Sequence, residues 1–240
     1  MIKKQLILKD PLKFLNNSEP QAAATGSFGA VIARPGIGKT AFLVQMALRA
    51  MLTDKKVLHV SVQDPVDKVN LWYIELFQKL TASFPADQQA GLWEELLTRR
   101  FIMTFEIESF GFEKLQHRVT ELKTQNVFVP DMIIIDGLAI DAAIYPKLHR
   151  LKSFAGENAI NFWFSVGRHD KEAFDILDVA DEFGDEFSAI FDQILGMVPE
   201  KTRILVKQYT TGQADAKERT VVGLDPSTML VQEENSLSPE

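Results

Sequence analysis

The chain has 240 residues, 46% of them hydrophobic and 25% charged, with a net charge of −7 and no cysteine. That length and apolar content suit one large α/β domain, and the missing cysteine excludes disulfides, thiolate metal sites and cysteine nucleophiles. The acidic balance argues against a strongly basic nucleic-acid-binding surface. The N-terminal MIKKQLILKDPLKF lacks the apolar core and small-residue cleavage site of a signal peptide. No apolar run is long enough to span a bilayer, so a cytoplasmic location with no membrane partner is expected.

In chain order, residues 1–27 form a lysine-containing lead-in that runs into NNSEPQAAATGS, a loop composition. Apolar runs that read as strands follow at 28–33 (FGAVIA), 56–62, 100–107, 131–136 (DMIIID) and 160–166. Between them lie segments with helical spacing: Thr40 to Met51, Asp67 to Ala82, and 112–125, where Leu115, Val119 and Leu122 share a face. Strands alternating with helices predict crossover units and a mainly parallel sheet flanked by helices. After residue 190 the rhythm changes to DQILGMV, TRILVKQY, ERTVVGLD and TMLVQ, separated only by short turns. These predict C-terminal antiparallel strands or hairpins that extend the sheet. The expected organisation is one domain over 28–232, with a disordered tail at 233–240.

The chemistry concentrates in VIARPGIGKTAFLV, Val31 to Val44. An apolar strand stops at Pro35 and Gly36, turns through Gly38, and resumes as a helix at about Lys39. The phosphate-loop pattern is Gly, four residues, Gly, Lys, then Ser or Thr; here it ends on Gly38, Lys39 and Thr40, with Ala33 in place of the first glycine. Backbone N–H groups in such a loop point at an anion, and the helix N-terminus adds its positive dipole. The expected nucleotide-binding set is Arg34, Pro35, Gly36, Ile37, Gly38, Lys39, Thr40 and Ala41. Lys39 would reach the terminal phosphates and Thr40 would ligate Mg²⁺. Asp136, closing the apolar Met132–Ile135 run, is the second expected metal-site residue.

These segments resemble the RecA-like P-loop ATPases, most closely the DnaB-type helicase core and its KaiC-like relatives. ARPGIGKTAF is similar to the helicase form of the loop, in which an initial alanine is common. VLHVSVQDP (57–65) sits where the family has a strand ending in an acid, DMIIIDGL matches the Mg²⁺ strand, and INFWFSVGRH matches the strand that ends at a polar sensor. RILVKQYTTG (203–212) resembles the late strand whose Lys and Arg reach a neighbouring subunit's nucleotide. The resemblance implies ATP and Mg²⁺ as ligands, and self-association into a hexameric or other ring or a filament.

Three positions depart from that pattern. Gln63 stands where the family has the acid that activates water, with Asp64 beside it; strand alternation turns Asp64 to the other face unless the chain bends near Pro65. Gln63 and Asp64 are therefore either weakened catalytic groups or polar loop. Lys207 keeps the late lysine, but Tyr209 replaces the arginine finger and Val166 the sensor glutamine. The segment 168–193 is strongly acidic where the ring-shaped DNA motors carry basic loops, so DNA is not an expected partner. It reads as an amphipathic helix burying Phe174, Leu177, Ala180 and Phe183, or as a face for an unidentified protein partner. The expectation is an ATP-binding nucleotide-dependent switch or slow regulatory ATPase with degenerate catalytic residues Gln63, Asp64 and Lys207. The alternatives are a DnaB-like DNA helicase motor and a catalytically inert protein-interaction module.

Overall fold

A computed structural model describes residues 2–17, 26–106, 109–139, 144–167, 186–209 and 218–233. The five early apolar runs become β1 (Phe28–Ala33), β2 (Val57–Ser61), β3 (Arg100–Thr104), β4 (Met132–Asp136) and β5 (Asn161–Gly167). The late runs become β6 (Gln193–Glu200), β7 (Arg203–Tyr209), β8 (Glu218–Leu224) and β9 (Val231–Glu233). All belong to one nine-stranded sheet in the order β3-β2-β4-β5-β1-β6-β7-β8-β9. Each pairing from β3 across to β6 is parallel, and β7, β8 and β9 add on as an antiparallel meander.

One late strand differs from expectation. β6 pairs in parallel with β1 and only then antiparallel with β7. A parallel neighbour needs a crossover connection of a dozen residues or more, and the 25 residues between β5 and β6 supply that length. The expected helix in this acidic segment, with Phe174, Leu177, Ala180 and Phe183, lies outside the described residues. Its described end, 186–190, is helical and buries Phe187 and Ile190.

Helices cover both faces because the strands are apolar on both. On one face α3 (Lys39–Leu52), α4 (Val66–Thr81) and α5 (Ala86–Leu97) pack over Val31, Ala33, Val57, Ile134 and Trp163. On the other, α6 (Phe112–Thr124) and α7 (Tyr145–Asn158) pack over Phe28, Ala30, Ile32, Ile133 and Phe164. α7 has its own signature, Tyr145, Leu148, Leu151 and Ala155 on one buried stripe. The lead-in folds as α1 (Ile2–Leu8), a 3₁₀ turn (Pro11–Lys13) and the short α2 (Phe14–Asn17). It is tied down by buried Ile2 and Leu12, by Lys3 reaching Asp54 at 2.6 Å and Glu95 at 2.8 Å, and by an Arg49–Asp10 ion pair.

Gly29 makes room for the Trp163 indole on the α3 face of the sheet. It lies beside Trp163 in the β1–β5 register, and a Cβ there would sit 2.5 Å from the indole. The Gly29→Ala protein should lose about 1–3 kcal/mol of stability, the ordinary cost of overpacking a filled core. A urea midpoint unchanged from wild type would mean that the indole repacks without strain.

Candidate functional site

The carboxyl ends of β1, β2, β4 and β5 lie side by side, and the loops leaving them enclose a cleft of about 450 Å³. β1 is buried along its whole length, so its end is rigid. The chain then turns with φ of 80° at Gly36 and 99° at Gly38, and α3 starts at Lys39. Gly38 needs glycine twice over: its φ is left-handed, and a Cβ would press on Leu224 and Met229 at 3.2 and 3.3 Å. The Phe42 N–H is the first to bond back into the helix, to the Gly38 carbonyl at 3.0 Å. The N–H groups ahead of it lie at the positive end of the helix dipole.

Lys39 folds over this loop, and its ammonium donates to the carbonyls of Ala33 at 2.9 Å and Arg34 at 3.1 Å. Burial holds its pKa below the ordinary lysine value, and the Asp136 carboxylate partly opposes that. Thr40 Oγ1 donates to Asp136 Oδ2 at 2.7 Å. Asp136 is only 8% exposed, so β4 and the first turn of α3 hold it against the loop.

Past Asp136 the chain turns at Gly137, whose φ is 88°. Its N–H donates to Ser165 Oγ at 2.8 Å, and its carbonyl accepts from Gln63 Nε2 at 2.9 Å. A Cβ on Gly137 would come within 2.8 Å of Gln63 Cγ. Gly137→Ala should therefore cost about 1–3 kcal/mol through left-handed strain and contact and push Gln63 out of the cleft. A crystal structure of the variant with Gln63 unmoved would overturn that.

β2 ends at Ser61, and residues 62–64 form a bend. Strand alternation thus stops short of Gln63, and both Gln63 and Asp64 line the cleft. The bend is held by Val62 N–H donating to the Asp136 carbonyl at 3.0 Å and Asp64 N–H to Ser61 Oγ at 2.9 Å. The Asp64 carboxylate accepts from Lys68 Nζ at 2.7 Å.

Pro35, Gly36, Gly38, Lys39, Thr40, Ala41, Gln63, Asp64 and Asp136 come together as cleft residues. Arg34 and Ile37 belong to the loop but not to the cleft lining; Ile37 packs on the core, and Arg34 offers its carbonyl to Lys39. Lys207 lies on β7, two strands beyond β1, and does not line the cleft either. Val166 is fully buried, and Tyr209 is 4% exposed, with both side chains in the α6–α7 core.

The cleft also takes Ser165, from the strand matched to the polar sensor, and Lys68, Trp72 and Met229, which the motifs do not mark. Lys68 and Trp72 stand four apart on α4, one helical turn, so their common face was readable once α4 was placed. Met229 was not, because it arrives on the turn between β8 and β9. The buried Gln45 amide holds that turn, donating to the Met229 carbonyl at 2.7 Å and accepting from Val231 N–H at 2.8 Å. Comparison of the chain with protein-family models and with curated proteins returns no match.

Proposed function

We propose that the chain is a RecA-like P-loop protein that binds ATP with Mg²⁺ and acts as a nucleotide-dependent switch or slow regulatory ATPase. The observation that carries this reading is the 2.7 Å contact between Thr40 and Asp136, residues 96 apart in sequence, on a left-handed glycine loop at a helix N-terminus. Such a loop is suited to phosphate oxygens, and a hydroxyl beside a carboxylate is a donor set that suits a hard cation. Thr40 and Asp136 would hold Mg²⁺, which when bound neutralises charge on the phosphates. Lys39, now on backbone carbonyls, would trade them for a phosphate, a stronger charge-assisted partner.

Slow chemistry is the part of the reading that rests on what the other residues do. Gln63 has its amide N–H committed to Gly137 and offers an oxygen that can orient water but not take its proton. Tyr209 and Val166 are core side chains, so neither can stabilise charge on a phosphate. Lys207, away from its own cleft, can act only on a neighbouring copy's ligand, in a ring or filament. Titration with ATP and Mg²⁺ followed by steady-state turnover tests the reading. Saturable binding with turnover well below ~1 s⁻¹, the low end of ordinary enzyme rates, is the expected result. Absence of binding overturns it, and faster turnover stimulated by single-stranded DNA supports the helicase motor instead.

A further inference from the structure

Among the described residues that line the cleft, the cations are Lys39 from the loop and Lys68 from the opposite α4 wall. They meet two carboxylates, Asp136 and Asp64. Asp136 is engaged by Thr40, and Asp64 by Lys68 across 2.7 Å. Lys68 is 59% exposed and Asp64 26%, so theirs is a wet, weak ion pair. Its lysine moves to a better anion at little cost.

We propose that Lys68 is the residue that senses the terminal phosphate. When a nucleoside triphosphate occupies the loop, the Lys68 ammonium leaves Asp64 for the terminal phosphate, and the Asp64 carboxylate is released at the cleft mouth. The reasoning is electrostatic. A triphosphate brings more negative charge than Lys39 and one Mg²⁺ meet together, and Tyr209 supplies no cation. Lys68 sits on the wall that carries Gln63 and Asp64 and lines the same cleft as Lys39, so a terminal phosphate that Lys39 reaches from the loop is met by Lys68 from α4. An ammonium prefers a multiply charged phosphate to a solvated carboxylate, because charge-assisted contacts strengthen with acceptor charge. The exchange makes the α4 N-terminus respond to triphosphate and not to diphosphate, which is what a switch requires. This inference rests on the nucleotide reading above.

The test is binding, measured by calorimetry on the full chain with Mg²⁺, using the slowly hydrolysed analogue ATPγS and ADP as the two probes. Lys68→Ala should weaken ATPγS on the order of tenfold, as for one charge-assisted contact, and leave ADP unchanged. Asp64→Asn removes the competing carboxylate and should tighten ATPγS while again leaving ADP unchanged. Equal effects on both probes, or none on either in both variants, would show that Lys68 is only a surface ion-pair partner. Wild-type protein that binds neither probe would overturn the nucleotide reading itself, a result distinct from failure of the lysine alone.

Discussion

Lys39→Ala is expected to reduce ATP affinity in the presence of Mg²⁺ by about 100-fold or more, the largest functional effect of any single substitution in the cleft. The ammonium is half-buried and bonded to two loop carbonyls, so it stands at the loop before any anion arrives and loses little freedom on binding one. Charge-assisted contacts of this kind contribute roughly 1.5–3 kcal/mol each, and a lysine over a phosphate chain makes more than one. Stability should change far less than affinity, because the stem is only partly covered and alanine is a good helix former at the start of α3. Affinity should also depend on pH in a defined direction. Burial lowers the Lys39 pKa, so the charged form is lost at a lower pH than for an exposed lysine. Wild-type affinity therefore falls as pH rises through that lowered value, and the Lys39→Ala protein, already weak, shows no such fall. A Lys39→Ala protein that binds as tightly as wild type would remove the lysine from the site and the phosphate reading with it.

How much of this could be read in advance differs by element. The loop from Pro35 to Thr40 was legible because its residue types are dictated by local backbone geometry: two left-handed glycines and a helix start. β1, β2, β4 and β5 were legible as apolar runs, since strands buried on both faces have no alternation to blur, and the half-buried edge strand β3 was legible from its Phe101, Ile102 and Met103 run. Asp136 was legible as the polar end of such a run. What failed to show were long-range consequences. α1 carries only one buried residue, Ile2, and its docking depends on Asp54 and Glu95, which lie 51 and 92 residues away. The parallel sense of β6 is a property of the connection before it. The cleft position of Asp64 turns on where β2 ends, set by hydrogen bonds from Val62 to β4 and from Asp64 to Ser61, and a pattern of residue types does not contain that end point. Met229 is brought to the loop by a turn that Gln45 and Lys79 hold, and the Gln45 amide finds two of its partners 184 and 186 residues on.

His59 should make the folded protein acid-sensitive between pH 6.5 and 4. It lies in the middle of β2, wholly buried, with Nδ1 3.0 Å from the Tyr73 hydroxyl, and Nε2 has no hydrogen-bond partner among the described residues. Tyr73 belongs to α4, and its ring carries the Arg100 guanidinium at 4.5 Å, from β3; Asp136 is the nearby charge on β4. Burial pushes the imidazole pKa down to about 4, Asp136 opposes that, and Arg100 adds to it. In the unfolded chain the group returns to about 6.5. Above that value the ring is neutral in both states and folding is unaffected. As pH falls from 6.5 toward 4 the unfolded chain takes up a proton that the folded one refuses, so stability drops by roughly 3 kcal/mol over the window. Glutamine at this position remains neutral and polar. Urea unfolding of wild type and His59→Gln between pH 7.5 and 4.5 should then show a steep loss in the first and a shallower one in the second. The lowered carboxylates of Asp54, Glu95, Glu121 and Asp225 are common to both proteins and cancel in the difference. Parallel profiles would mean that the imidazole charges as readily folded as unfolded, by water entering between β2 and α4 next to Asp136.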